Sequence, residues 1–488
     1  MTREIKTGAL AFVGIIALVG VRVVALGADP PGWLSWSGGI ATDEGFYTLD
    51  ARHLVVFGGW ARGDFHDRLL SPLLSVMQQG AFLVLGTSLT TARGLSVLFG
   101  LLTLAALWLG LRACAGAAAA HAGALLLGFA PPFVLYNRLA LQETPAAFWL
   151  AASFALWAVG TRAERHDLTR EAVGTAKWAR GLLLASGLAA GLAFLCKGLA
   201  IVFVPALCWA AVRSGRRGGF ALLGLGVVML GYAGLWFMPH HAELARMGAY
   251  YRTHQFAPHS PHSLRSLWLN IRRAGVGDRA SVLRGLLPYL LLFTPVPCVL
   301  AARRGRSFGS KTTAEQMLFL WLAGGVLFCA LSSYAPDRYY VVFLPPLCAL
   351  AGIAWAALGP APRRAFALAA CAVNMAWLGI AWHGRTWTAQ AGARALSRLL
   401  PARSVVIGDM APAVCLGTTL DAAPVQVGLS NDTRPVETLG ADYLAVTRAP
   451  VYTQWWRTRY PDIVRPARHV ASLAVGTRWT VDVYKTKP

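Results

Sequence analysis

Acidic side chains are scarce in this sequence: 22 Asp and Glu stand among 488 residues, against 45 Lys and Arg, for a formal charge of +23. Charged residues of both signs make up only 14% of the chain, and uncharged runs long enough to span a membrane recur along it. So little polar surface excludes a water-soluble globule, and an apolar content of 56% with 18 Trp excludes disorder. The eight cysteines are too scattered for a disulfide framework. Cys196, Cys208, Cys298, Cys329, Cys348 and Cys371 fall in or beside apolar segments, where they read as packing residues. There is no internal repeat and no low-complexity linker beyond alanine-rich apolar segments. The basic excess would suit nucleic acid, but the Lys and Arg stand in short clusters between apolar runs. Positive-inside topology accounts for that distribution without a nucleic-acid partner.

What is present is a series of apolar runs that predicts an all-α polytopic membrane protein with about eleven spans. They lie near 8–28, 90–111, 118–136, 145–160, 181–196, 199–212, 219–238, 284–301, 315–332, 339–358 and 365–382. The first is about 20 residues, longer than the roughly 7–15 of a signal-peptide core, and is read as an uncleaved span. Two others, 145–160 and 199–212, are short for a bilayer. Alternating the connections gathers Arg3/Lys6, Arg112, the 162–180 cluster, Arg213/Arg216/Arg217, Arg303/Arg304/Arg306/Lys311 and Arg363/Arg364 on one side, the cytoplasm. The expected location is the plasma (inner) membrane, with the N-terminus inside. The loops at 29–89, 137–144, 239–283 and 333–338 and the whole tail are then extracytoplasmic. Within the outer loop 29–89, the segments at about 43–58 and 69–86 read as interfacial helices. Inserting the second would flip everything downstream, against the arginine distribution.

From about His383 the pattern changes. Segments 404–408, 442–447 and 479–484 read as short strands, with helices near 387–400 and 451–460. The expected organisation is a transmembrane unit over 1–382 and a small α/β outer domain over 383–488.

Because acids are so few, their positions are informative. Asp43, Glu44, Asp50, Asp64 and Asp67 crowd the first outer loop, and the next acid is Glu143. On a helix starting near Asp43, residues Asp43, Tyr47 and Asp50 share a face. An N-cap role for Thr42 or Asp43 is the structural alternative. Three further outer segments carry isolated cations: Asn137-Arg138-Leu-Ala-Leu-Gln-Glu143, Cys196-Lys197-Gly198, and Asp337-Arg338-Tyr339-Tyr340. Snorkelling explains each cation singly, and Arg138 could simply pair with Glu143. Their shared side is the stronger signal. Cations at a lipid boundary suit a phosphate whose tail lies in the bilayer, and an opposing carboxylate can take a proton from a hydroxyl or hold a divalent metal. The loop at 239–283 is rich in Arg (Arg246, Arg252, Arg265, Arg272, Arg273, Arg279) and His (His240, His241, His254, His259, His262). It reads as a surface for anionic ligands or for anionic headgroups. The histidine spacing matches no zinc pattern.

These four passages together resemble the GT-C superfamily of polyprenyl-phosphate-sugar-dependent glycosyltransferases, in particular the protein O-mannosyltransferase and lipid A aminoarabinose transferase (ArnT-like) group. Thr42-Asp43-Glu44-Gly-Phe-Tyr47 is similar to the family's Asp-Glu motif. Arg138 to Glu143 is similar to its Arg-plus-acid turn, Lys197-Gly198 to its Lys-Gly pair, and Asp337-Arg338-Tyr339-Tyr340 with Pro345-Pro346 to its late Arg-Tyr segment. The resemblance runs over roughly residues 1–360. It implies an inverting transferase in which Asp43 and Glu44 are catalytic, Arg138, Lys197 and Arg338 bind the donor phosphate, and Tyr47, Glu143 and Tyr339 assist. The implied partners are a polyprenyl-phosphate-linked sugar and an extracytoplasmic acceptor that is a protein, lipid or glycan. Family members differ in metal use, so the cofactor stays open, a divalent metal included. One segment departs from the pattern: Asp64-Phe-His66-Asp67-Arg68-Leu-Leu-Ser71-Pro72-Leu73 replaces a basic residue and a Pro-Pro-Leu run, so no role carries over to His66, Asp67 or Arg68. Two other functions fit a polytopic chain. A lipid or sugar transporter or flippase would show paired broken helices or repeated halves, and neither is present. A non-catalytic assembly protein would keep the spans and lack a usable site.

Overall fold

The computed structural model describes residues 14–34, 40–167, 173–250, 264–275, 282–305, 309, 311–332, 335–427 and 430–487. Each of the eleven apolar runs is helical over most of its described residues. Among the described residues, seven helices are long and apolar enough to cross a bilayer: Leu89–Ala115, Glu143–Ala163, Lys177–Cys196, Gly215–Phe237, Thr313–Leu331, Asp337–Ala356 and Pro360–Trp382. Gly14–Val23, Ala117–Gly128 and Gly198–Arg213 are shorter apolar helices. The expected span 284–301 is instead two helices, Val282–Phe293 and Pro295–Gly305, broken at Thr294. The following proline disfavours a helical conformation at Thr294, which explains the break. The segment at 145–160 is not short: it lies inside Glu143–Asp167, whose charged last turns obscure its true end. The run at 199–212 stays short, a tight turn over Gly198–Phe203 leading into Val204–Arg213.

Helix Glu143–Asp167 packs along Leu89–Ala115 on one side and Val173–Cys196 on the other. Val173–Cys196 in turn meets Gly219–Tyr232 with the backbones nearly touching. A Cβ at Gly187 would lie 1.8 Å from the Ala221 carbonyl oxygen, and one at Gly224 would lie 2.1 Å from that of Leu184. Lipid tails are as apolar as the helices, so close packing through small residues replaces the hydrophobic drive that holds soluble helices together. Leu230, Leu368 and Met375 are each more than 70% exposed on the outermost helices, a pattern suited to lipid contact rather than water.

Both helices read in the first loop are present, as Ile40–Phe57 and Pro72–Leu85, and they pack against each other. Between them Gly58 and Gly63 take positive φ, +74° and +116°. Such φ values are strained for any residue with a Cβ, and the reversal depends on them.

The described residues of the tail contain five strands: β1 (Val405–Gly408), β2 (Asp421–Pro424), β3 (Tyr443–Thr447), β4 (His469–Val475) and β5 (Trp479–Lys485). Their order is β2-β1-β3-β5-β4; β2 and β3 run parallel to β1, and β5 runs antiparallel to both its neighbours. The expected strands correspond to β1, β3 and β5, while β2 and β4 were not expected. Alternation puts Val406, Ala445, Val481 and Val483 on one face and Val405, Ile407, Leu444 and Val446 on the other. The second face is covered by Trp456, from helix Pro450–Arg459. The first face packs with Leu49 and Ala61 of the first loop, so the tail sits directly on helix Ile40–Phe57.

Polar contacts fix that docking. Asp421 takes His53 Nε2 at 2.9 Å and Arg62 Nε at 2.6 Å. Arg52 donates to the Thr418 and Leu420 carbonyls, and Asp64 and Asn431 exchange two backbone-to-side-chain hydrogen bonds. At the closest point a Cβ on Gly45 would lie 2.4 Å from the Ala413 nitrogen, so only glycine lets the tail approach this near.

Candidate active site

Asp43 lies in the first turn of helix Ile40–Phe57, and its Oδ2 is 3.0 Å from Arg338 Nη1. Arg338 comes from the tight turn Asp337–Phe343, which opens a span, and its Nε lies 3.4 Å from Glu143 Oε1. Glu143 begins helix Glu143–Asp167, and the same Oε1 is 2.8 Å from Lys197 Nζ. Lys197 follows the last turn of Val173–Cys196, where Gly198 starts a change of helix type. Four elements distant in sequence therefore place acid, base, acid and base in an alternating row: Asp43, Arg338, Glu143, Lys197. The Lys197 ammonium also lies 4.7 Å from the Tyr339 ring centre and 5.6 Å from that of Tyr47, and the Arg338 guanidinium is 5.5 Å from Tyr339. The two rings wall the cations and add cation–π attraction.

Exposure distinguishes the members of this row. The Glu143 side chain is 1% exposed, whereas that of Asp43 is 23% exposed. Glu143 is thus enclosed between two cations, and Asp43 is the acid of the row that solvent can reach. Burial pushes the Asp43 carboxyl above its ordinary value, while the Arg338 guanidinium beside it pulls the other way. A raised carboxyl is a stronger base for taking a hydroxyl proton.

Behind Lys197 stands a set of neutral and acidic groups that sequence reasoning missed. Lys197 Nζ donates to Gln142 Oε1 at 2.9 Å. The Gln142 amide nitrogen donates to both Asp67 oxygens, each at 2.9 Å, and to Ser71 Oγ at 2.6 Å. Gln142 carries no charge to draw notice, and Asp67 lies in the segment that departs from the family pattern. Nearby, Asp50 takes His66 Nδ1 at 3.0 Å and the Arg68 backbone amide at 3.1 Å.

Six of the eight residues singled out from sequence meet here: Asp43, Tyr47, Glu143, Lys197, Arg338 and Tyr339. Glu44 and Arg138 go elsewhere. Successive helical residues point about 100° apart, so Glu44 faces away from Asp43. Its carboxylate is held by Arg93 in a two-pronged pair at 2.8 and 2.7 Å and by the Ala140 amide at 2.8 Å. Arg138 donates to the carbonyls of Val21, Arg22 and Ala25 at 3.0, 3.0 and 2.8 Å, satisfying the last turns after helix Gly14–Val23. Arg138 therefore makes no pair with Glu143. The available signal was Arg93, a lone arginine within the apolar run 90–111, which implies a buried carboxylate partner.

In the 239–283 loop, His240 pairs with Glu243 at 3.3 Å. Arg252, Arg279, His254, His259 and His262 lie outside the described residues, as does the side chain of Arg273. Among the described residues there is no group of three or more His, Cys, Asp or Glu that could hold a metal ion. Both exposed and buried acids of the row are already engaged by cations.

The sequence profile of the family described as dolichyl-phosphate-mannose-protein mannosyltransferase matches residues 70–240, about a third of the chain. That stretch contains Arg138, Glu143 and Lys197. A search of curated protein sequences finds no match. Among solved structures, ArnT from Cupriavidus metallidurans in the apo state superposes with a TM-score of 0.65 at 17% identity, covering 98% of each chain. The same protein bound to undecaprenyl phosphate gives 0.63 at 17% identity, covering 97% of this chain and 98% of that one. The Archaeoglobus fulgidus oligosaccharyltransferase in complex with zinc and sulfate gives 0.58 at 13% identity, covering 89% of this chain and 67% of that one.

The fold is that of ArnT. The ArnT likeness covers 98% of this chain, the tail included, so the small sheet domain is part of the shared fold. At these identities the likeness is one of fold.

Proposed function

We propose that this chain is an integral-membrane inverting glycosyltransferase that moves a sugar from a polyprenyl-phosphate donor to a hydroxyl on an extracytoplasmic protein, lipid or glycan. The observation that carries this reading is the alternating row Asp43–Arg338–Glu143–Lys197, closed at one end and open to solvent at Asp43. Structures of the same fold have been obtained with undecaprenyl phosphate in ArnT and with a dolichol-phosphate in archaeal AglB, which supports a lipid phosphate as the donor's anchor here.

In this mechanism the donor phosphate enters beside Arg338 and Lys197, and Arg338 turns part of its fork from Asp43 to the phosphate. Asp43, released from its partner, becomes more basic and takes the proton of the acceptor hydroxyl. The acceptor oxygen attacks the anomeric carbon from the face opposite the phosphate. The carbon–oxygen bond to the phosphate breaks, its electron pair leaves on polyprenyl phosphate, and the configuration inverts. Arg338 and Lys197 stabilise the charge that builds on the departing oxygen. Glu143 keeps both cations in place. Glu44 and Arg138 act at a distance from the reacting atoms: Glu44 anchors the start of the Asp43 helix through Arg93, and Arg138 holds the end of the first span. The tail and the Asp43 end are assigned to the outer side of the inner membrane, because Arg112, Arg213, Arg303 and Arg363 cluster at helix ends remote from this row in the chain's alternation.

The test compares envelope glycolipids and glycoproteins by mass spectrometry with and without the intact chain. One class of molecule lacking one sugar increment is the expected result, restored by wild type and not by Asp43→Asn. Identical spectra in the presence and absence of the chain would overturn the reading.

A further inference from the structure

Asp67 differs from Asp43, Glu143, Glu44 and Asp50 in having no ion-pair partner among the described residues. Asp43 pairs with Arg338, Glu143 with Lys197 and Arg338, Glu44 with Arg93, and Asp50 with His66. Asp67 is 94% buried, and among the described residues no Lys, Arg or His lies within ion-pair distance of it. Its side chain is held by one neutral group, the Gln142 amide. A buried carboxylate met by an amide alone is costly to ionise.

The same amide fixes its own orientation. Its nitrogen is committed to Asp67 and Ser71, so its oxygen must point at Lys197. Were the amide reversed, two N–H groups would face an ammonium. Asp67 and Ser71 therefore determine that Lys197 meets an acceptor on the Gln142 side and keeps its remaining donors for Glu143 and for a ligand.

Resting on the reading of Lys197 and Arg338 as phosphate-binding groups, we propose that Asp67 is a positioning residue for the Lys197 ammonium, acting through Gln142, and that it takes up a proton from solvent when a lipid phosphate binds beside that ammonium. The phosphate brings a negative charge to a neighbourhood where Asp67 is an acid without an ion-pair partner, and a proton on Asp67 restores the balance. The titratable and charged groups facing Asp67 are Asp50 with its partner His66 and the adjacent Arg68 from the first loop, Glu143 from the next helix, and Lys197 from the end of Val173–Cys196. Burial already pushes the free Asp67 carboxyl up to about 7, with the Gln142 hydrogen bonds opposing. Above that value the ionised acid repels the phosphate; below it the acid is neutral.

The experiment uses the full chain in nanodiscs and, as probe, a short-chain polyprenyl phosphate methyl diester, whose single charge does not titrate near neutrality. The wild-type Kd is expected to weaken about tenfold between about pH 6 and pH 8.5, with the change setting in near about 7, because binding is linked to the protonation of one group. Asp67→Asn keeps the acceptor for Gln142 without the charge, and it should lose most of that dependence and bind more tightly than wild type at the alkaline end. Gln142→Leu cuts the link and should weaken binding about tenfold even at the acid end. Calorimetry of the wild type near pH 7.5, in two buffers of different ionisation enthalpy, should count roughly half a proton taken up, which needs no variant to fold. If wild type binds the probe but takes up no proton, or if Asp67→Asn retains the full pH dependence, this proposal falls and the phosphate-binding reading stands. If wild type does not bind the probe at any pH, the phosphate reading falls and this proposal with it.

Discussion

Replacing Glu143 by Gln keeps the shape of the clamp and removes its charge. Glu143 lies 2.8 Å from Lys197 and 3.4 Å from Arg338. At an effective dielectric of about 20 each contact carries roughly 5–6 kcal/mol of Coulomb attraction. Most of this is offset by the desolvation of the buried ions, and removing one partner of such a set typically costs about 3–5 kcal/mol. In the native row two acids balance two bases, so the variant is left with one positive charge too many. A lipid phosphate supplies the missing negative charge. The expected result is opposite in sign for folding and for binding: the variant without ligand loses about 3–5 kcal/mol of stability, yet binds polyprenyl phosphate about tenfold or more tightly, since about 1.4 kcal/mol suffices for that factor. Turnover should fall all the same, because neither cation is held at a set position. Denaturant titration of detergent-solubilised protein with and without polyprenyl phosphate, together with direct binding, measures both effects. A variant as stable as wild type would refute the clamp. So would a variant whose phosphate affinity falls in step with its stability.

Arg93→Met leaves Glu44 buried without its two-pronged partner and should cost about 3–5 kcal/mol, whereas Glu44→Gln should retain transfer activity in whatever fraction folds; a folded Glu44→Gln with no activity would return Glu44 to the reacting centre. Transfer should decline toward acid pH with a limb above the ordinary carboxylate range near about 4, because burial raises Asp43 and only its ionised form accepts the proton; a limb in kcat/KM at or below that range would contradict this. Asp421 has the opposite sign: the His53 and Arg62 donors outweigh burial and hold its carboxyl below the ordinary value. Its contribution to tail docking is therefore complete above about 4 and is lost only as pH falls through the lower folded value. Asp421→Ala should expose the junction between tail and first loop to limited proteolysis at neutral pH, and unaltered cleavage would show that the docking does not depend on it. Gly45→Leu should displace the tail from the Asp43 helix, since even a Cβ there meets the Ala413 nitrogen at 2.4 Å; undisturbed proteolytic protection would contradict that contact.

Much of this architecture is legible in the sequence because a membrane helix advertises itself by length and apolarity alone. Legibility ends where a local feature competes with that signal. Pro295 splits one apolar run into two helices, and the charged end of Glu143–Asp167 made a long helix look short. In the tail, Asp421-Ala-Ala-Pro424 does not look like a strand, since Asp and Pro are both poor strand formers; its pairing with β1 supplies what propensity does not. The site was legible through scarcity. With few acids available, Asp43 and Glu143 stood out, and Lys197 and Arg338 were isolated cations on the same inferred side. Glu44 shows the limit of that reasoning: adjacency in sequence is divergence on a helix, and only the position of Arg93 decides which way each acid looks. In the sequence Arg138 reads as a phosphate ligand or a partner for Glu143, whereas its neighbours are carbonyl groups that a sequence does not reveal as unsatisfied. Gln142 had no signal, because a neutral amide is informative only through the groups at its two ends.

The central claim is that Asp43 takes a proton while Arg338 and Lys197 hold a phosphate, and it is tested most directly by measuring both functions in one variant. Purified Asp43→Asn should bind polyprenyl phosphate within a few-fold of wild type while sugar transfer falls by roughly 10²–10⁴, the usual contribution of a positioned general base. Transfer at the wild-type rate in that folded, lipid-binding protein would contradict the account.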